Sequence, residues 1–138
     1  MSQSVDIAID GDLRLVGGRD HSEGKIEVYY RGIWAGICDD YFDQYDANVI
    51  CRQLGYIAVV EYYCCSKYND SHIMGINQTL FWLDHLECTG SEKNIMQCRH
   101  AGWGNHDCAS HESAGIQCTS MSKYLRQIIV YYLTYLMR

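Results

Sequence analysis

Four carboxylates, Asp39, Asp40, Asp43 and Asp46, fall within eight residues just after Cys38. Carboxylates that close repel one another, and a hard divalent cation with oxygen ligands at ~2.3–2.6 Å relieves the repulsion. The same residues have a purely local use, in which Asp46 caps a helix, Asp43 assists it, and Asp39 and Asp40 face water. Spacing alone leaves both uses open. Further along, His100, His106 and His111 lie near serines and aspartates that can be drawn as a catalytic triad, but no Gly-x-Ser-x-Gly elbow accompanies them. We read them as loop and packing residues and the chain as a non-enzyme.

The other chemistry-bearing set is the eight cysteines. Structural zinc sites bring ligands in close pairs such as Cys-x2-4-Cys. Here Cys38, Cys51, Cys88, Cys98, Cys108 and Cys118 are spaced by ten residues or more, as suits cross-links between separate elements, and only Cys64 and Cys65 adjoin. A zinc site drawn through Cys98, His100, Cys108 and His111 is the weaker alternative. Disulfides imply an oxidising, extracellular setting. Residues 1–12 carry Asp6, Asp10 and Asp12 and show no secretory leader, so the sequence is read as a fragment or one module of a larger secreted or membrane protein. Asn69-Asp70-Ser71 and Asn77-Gln78-Thr79 make Asn69 and Asn77 candidate glycosylation sites in that setting. A net charge of −6 with scattered basic residues argues against nucleic acid as a partner.

These residues need elements to position them. Residues 1–12 are polar and predict a flexible lead-in. Leu13 and Leu15 begin an alternation, Gly17-Gly18 marks a turn, and Ile26, Val28 and Tyr30 alternate through a half-buried strand. After the Arg31-Gly32 turn, Trp34 to Cys38 continues as its hairpin partner. Ala47, Ile50, Cys51 and Leu54 then recur at helical spacing up to Gly55, which turns Cys51 inward. Residues 56–81 read as the least regular part. Thr79 to Leu86 reads as a strand, Ser91 to Cys98 as a short helix opened by Ser91, and Gly115 to Cys118 as the last strand. The tail, 120–138, carries a stripe of Leu125, Ile128, Ile129, Tyr132, Leu133 and Leu136. Its apolar run falls short of the ~20 residues that span a bilayer, so it is an amphipathic helix or a truncated membrane segment.

Taken in order, these stretches resemble the scavenger receptor cysteine-rich (SRCR) domain. The carriers are Leu13-Arg14-Leu15-Val16-Gly17-Gly18, Trp34 through Cys38-Asp39-Asp40, and Asp46-Ala47-Asn48-Val49-Ile50-Cys51-Arg52-Gln53-Leu54-Gly55. Trp82-Leu83-Asp84, Glu87-Cys88-Thr89-Gly90, Trp103-Gly104-Asn105-His106-Asp107-Cys108 and Glu112-Ser113-Ala114-Gly115-Ile116-Gln117-Cys118 complete the set. The resemblance covers 13–119. It implies an α+β fold, a small disulfide-stapled unit in which a curved, mainly antiparallel sheet cradles one main helix with long loops. It also implies the group with six shared cysteines, paired Cys38–Cys108, Cys51–Cys118 and Cys88–Cys98. Ser22 and Tyr56 stand where an eight-cysteine group has its extra bridge, and the additional Cys64 and Cys65 are open to a vicinal disulfide, a link between chains, or free thiols.

In function, the resemblance implies a calcium site at Asp39, Asp40 and Glu112 that helps hold ligands. The expected role is an extracellular module of a scavenger or pattern-recognition receptor that takes polyanionic or microbial surface ligands. The alternative is a module binding one specific extracellular protein. A membrane would enter only through a parent chain or the tail.

Overall fold

In the computed structural model, which describes residues 7–68 and 80–137, the alternation of Ile26 and Val28 becomes a strand paired on both edges. The strands are β1 (Leu13–Gly17), β2 (Glu23–Tyr30), β3 (Ile33–Ile37), β4 (Ala58–Tyr63), β5 (Phe81–Leu83) and β6 (Gly115–Thr119). Two helices, α1 (Gln44–Gln53) and α2 (Met121–Leu136), and one 3-10 turn, Ile95–Gln97, complete the elements. The sheet runs β4-β6-β2-β3-β5, with β1 pairing β2 outside that path. Every pairing is antiparallel except β3 with β5. The architecture is α+β, a curved sheet with one helix packed in it.

Local chemistry explains most of these elements. Arg31 and Gly32 both take positive φ, 48° and 83°, as a two-residue hairpin turn between twisted strands requires. Asp43 caps α1 by accepting from the Tyr45 and Asp46 amides, and Asp46 reciprocates from the third helical position by accepting the Asp43 amide at 3.0 Å. The helix closes with paired bonds from Gly55 N to Arg52 O and Tyr56 N to Cys51 O, Gly55 taking φ 92°. That winding turns Ala47, Ile50 and Cys51 into a core with Ile26, Val28, Ile37, Leu83, Leu86, Ile95 and Ile116.

The β1–β2 pairing depends on a missing side chain. A Cβ on Gly24 would lie 2.6 Å from the Val16 carbonyl oxygen and 2.8 Å from its nitrogen, and both atoms are backbone of the paired strand. Gly24→Ala is therefore expected to push β1 off β2 and cost about 2 kcal/mol, read as a lower denaturation midpoint.

Four expectations need correction. Residues 58–63 form a strand rather than irregular chain: Val59, Val60, Tyr62 and Tyr63 have strong strand propensity, and β4 pairs with β6 through a bulge that disturbs the alternation. The strand expected over Thr79 to Leu86 shrinks to Phe81–Leu83, because its partner β3 is short; Thr79 lies outside the described residues. The helix expected over Ser91 to Cys98 is a single 3-10 turn capped by Asn94, whose side chain accepts the Met96 amide. Glu92 is used instead to tie the Thr89 and Gly90 amides. Within the expected lead-in, Gly11 donates to Tyr29 O at 2.8 Å and accepts from Gln53, so residues 9–12 are docked onto the domain.

The tail forms α2, opened by Ser120, whose hydroxyl accepts the Lys123 amide. No residue of α2 is buried. Among the described residues no helix is long and apolar enough to cross a membrane.

Candidate functional site

The site is assembled at the end of β3. Cys38 N donates to Leu83 O at 2.8 Å, which aligns residues 38–40 with the chain leaving β5. Cys38 also bridges to Ser113, and Asp39 N donates to Glu112 O at 2.8 Å, which brings residues 109–113 alongside. The Cys38–Cys108 disulfide, with Cα atoms 6.1 Å apart, fastens the same two segments across a sequence separation of 70. The turn then folds back through Tyr41, whose φ of 61° lies in the left-handed region, and Phe42 N donates to Asp39 O.

This backbone frame brings Asp39, Asp40 and Glu112 together, each half-buried, with one carboxylate oxygen from each within 4.8 Å of the others. Asp43 and Asp46 are not part of the group. They cap α1, with the roles opposite to the simple expectation, since Asp43 is the cap and Asp46 its reciprocal partner. Asp46 is fully buried and also accepts the Cys88 amide at 2.7 Å.

Asp39 and Glu112 are held by the chain around them. Asp39 Oδ2 accepts the Cys65 amide at 2.7 Å, and Glu112 Oε2 accepts the Ala109 amide at 3.2 Å. His111 Nε2 stands 3.8 Å from Glu112 Oε1. Among the described residues no Lys or Arg forms an ion pair with Asp39, Asp40 or Glu112. Desolvation first, and then the charges of Asp84, Glu112, Asp107 and Asp39, push the Asp40 carboxyl above the usual carboxylate range.

Two neighbours went unnoticed in the sequence as site residues. Asp84, nearly fully buried, and Asp107 bring carboxylate oxygens to within 4.8 Å of Asp40 and of the Cys108 sulfur. Asp84 is 44 positions from Asp40, and only the parallel β3–β5 pairing makes them neighbours. Hard oxygen donors clustered with no Lys or Arg partner among the described residues suit a divalent cation such as calcium.

The remaining candidates fall elsewhere. Cys51–Cys118 ties α1 to β6, Cys88–Cys98 closes the loop around the 3-10 turn, and Cys64–Cys65 form a vicinal disulfide. Asn69 and Asn77 lie outside the described residues. His100 and His106 accept the Gly102 and Cys108 amides through Nδ1, and their rings pack on Trp103 and Phe81. Burial pushes the His100 imidazole below its usual range.

The sequence profile of the scavenger receptor cysteine-rich domain matches residues 16–119. This chain belongs to the SRCR family. It is 44% identical over 108 residues to lysyl oxidase homolog 2 of Xenopus tropicalis, a match covering 78% of this chain and 13% of that protein. It is 40% identical over 109 residues to a scavenger receptor cysteine-rich domain superfamily protein of Patiria pectinifera, covering 79% and 9%. The third SRCR domain of murine neurotrypsin superposes with a TM-score of 0.68 at 34% identity, covering 80% of this chain and 97% of that one. The matched region thus spans 9–13% of the length of those two curated relatives. As an SRCR domain, the chain is an extracellular ligand-binding or protein-interaction module.

Proposed function

We propose that this SRCR domain is a calcium-assisted binding module of scavenger-receptor type, in which Asp39, Asp40 and Glu112 hold the cation against polyanionic or microbial surface ligands. The observation that supports this reading is the convergence of three carboxylates, from segments more than 70 positions apart, on one spot where no Lys or Arg among the described residues pairs with them. Bound there, calcium supplies positive charge on an otherwise acidic face, through which a chain of net charge −6 can take an anion. The protein's own contribution is to orient the carboxylates: the Cys65 amide fixes Asp39, the Ala109 amide fixes Glu112, and the backbone bonds of Cys38 and Asp39 set the turn that places Asp40 beside both. In this reading the domain acts by holding, not by turnover.

Calorimetry at millimolar calcium is expected to give a saturable heat, and Asp39→Ala and Asp40→Ala are each expected to weaken it roughly tenfold or more. A panel of sulfated and phosphorylated polymers should bind with calcium and release with chelator. No calcium heat, together with unchanged ligand binding by Asp39→Ala, would sink the proposal.

A second reading, a module for one specific extracellular protein, is favoured by the aromatic rim. Tyr41 is 76% exposed and set against His85, Tyr45 is exposed close by in the chain, and Tyr62 is exposed with its ring edge-on to Phe42. Such tyrosines make adaptable contact area. A single saturable protein ligand indifferent to chelator is the outcome that selects this reading.

A further inference from the structure

We propose that Cys64–Cys65 is a thiol–disulfide exchange site, open to dithiol reductants, whose oxidation state sets the placement of Asp39 and Ser113 and through them the affinity of the carboxylate site. The proposal rests on the cation reading only in that last step.

Accessibility comes first. Cys64 and Cys65 are both exposed, while Cys38, Cys51, Cys88, Cys98 and Cys118 are buried, so each of the other three bridges has at least one sulfur shielded from an attacking thiolate. Chain topology adds a second distinction. Cys38–Cys108 and Cys51–Cys118 span separations of 70 and 67, and Cys88–Cys98 spans 10, whereas Cys64–Cys65 spans 1. A bridge between adjacent residues closes no chain loop, so opening it returns almost no entropy to the unfolded state. The fold therefore survives its reduction.

The third observation is what the small ring holds. The disulfide closes a small ring around the peptide between the two cysteines, which restricts rotation about the Cys65 N–Cα bond, and Cys65 and Ser66 take φ of 70° and 55°, the left-handed region that residues with a side chain avoid. In that conformation the Cys65 amide donates to Asp39 Oδ2 at 2.7 Å. Ser66 N donates to Ser113 O, Ser66 Oγ donates to Ser110 O, and Ser113 N donates back to Ser66 Oγ at 3.1 Å. The turn thus braces both arms of the carboxylate group, Asp39 on one side and the segment carrying Glu112 on the other. Once the ring opens, rotation about the Cys65 N–Cα bond is released and Cys65 can relax to negative φ, which shifts the turn that sets its amide against Asp39.

The exchange balances. A thiolate of the external dithiol attacks one sulfur, the Cys64–Cys65 bond breaks, and a mixed disulfide forms. The reductant's second thiol then displaces it. Two electrons and two protons pass to the cysteines, giving two thiols, and the reductant leaves as its own disulfide.

The test takes the full chain with its disulfides intact, titrates it with dithiothreitol, traps thiols by alkylation and locates them by peptide mass spectrometry. Cys64 and Cys65 are expected to label at reductant concentrations that leave the other six cysteines unlabelled. In the same selectively reduced sample, the amide resonances of Asp39 and Ser113 should shift, and the calcium dissociation constant should rise roughly tenfold. The double substitution Cys64→Ser and Cys65→Ser should reproduce the weaker binding in a folded protein and be indifferent to reductant. Labelling of all eight cysteines together, or unmoved Asp39 and Ser113 resonances after selective labelling, overturns the exchange site. Should the oxidised chain bind no calcium while labelling is selective and the resonances move, the cation reading falls and the exchange site stands.

Discussion

Replacing Cys51 and Cys118 together by alanine is expected to lower the unfolding free energy by about 4 kcal/mol in the chain-entropy account, before any packing loss. Their bridge spans a separation of 67, and both sulfurs are buried where α1 meets β6. Truncation to alanine also removes core contacts, which adds to the loss. A domain of this size typically has only about 5–15 kcal/mol in total, so the double variant should stand near the edge of folding at 37 °C. Guanidinium denaturation followed by tryptophan fluorescence measures the change. A midpoint within error of the parent would show that the bridge only decorates a core already sufficient without it. The pair Cys64→Ala and Cys65→Ala is the built-in control, since it closes no loop and should leave the midpoint nearly unmoved.

Stability is also expected to fall as pH rises from about 4 to above 7, against the common pattern for acidic proteins. Asp46 is the cause. Its complete burial pushes the carboxyl up to about 7, although the Cys88 and Asp43 amides pull the other way. A raised carboxyl binds a proton in the folded state that the unfolded chain has released, so its stabilising contribution is full below about pH 4 and lost as pH passes about 7. The shift corresponds to on the order of 4 kcal/mol at full ionisation. Asp40, raised by desolvation and its acidic neighbours, acts in the same direction. Asp20 and Glu92 work oppositely at lower pH. Hydrogen bonds from Ser22 hold Asp20 at about 2, and backbone bonds led by the Thr89 amide hold Glu92 at about 2, so their contribution is present above about pH 4 and is lost as pH falls toward 2. Denaturation midpoints should therefore peak near pH 4–5. Asp46→Asn removes the titrating group and should flatten the fall between pH 5 and 8, while lowering stability at pH 5 by about 1–3 kcal/mol, because its NH2 must face a backbone N–H. A parent protein equally stable at pH 5 and pH 8 would refute the assignment.

How much of this was legible in the sequence differs by element, and the differences have physical causes. The β2–β3 hairpin and α1 were readable because their signals are local: a two-residue turn with Gly32, a strict alternation, an Asp cap and a closing Gly55. The strand β4 was not, because an edge strand with a bulge presents Val59, Val60, Glu61 and Tyr62 without clean alternation, and its strand character comes from pairing with β6 more than fifty positions later. The helix expected after Ser91 failed for a related reason. Glu92 directly follows Ser91, where the first turn of such a helix favours an acid, yet its carboxylate binds backward to Thr89 and Gly90 and holds a turn open.

At the site, the resemblance to the SRCR family supplied Asp39, Asp40 and Glu112, which span 73 positions that no spacing rule connects. Asp84 and Asp107 stayed hidden as members because a parallel strand pairing and a loop around Cys108 bring them in, and neither leaves a short-range pattern. The splitting of Asp43 and Asp46 away from Asp39 and Asp40 was equally invisible as a certainty. Four aspartates in a row of eight look alike until the helix start assigns two of them to backbone amides.

The place of β6 in the sheet carries a meaning in time. It is the last strand to leave the ribosome, yet it sits between β4 and β2, so the sheet cannot close until nearly the whole domain has been made. The native partners of Cys38 and Cys51 arrive only after 70 and 67 further positions have been synthesised. During that interval the first new sulfurs to emerge are Cys64 and Cys65. A bond between those two neighbours leaves Cys38 and Cys51 to the partners that are made later, Cys108 and Cys118.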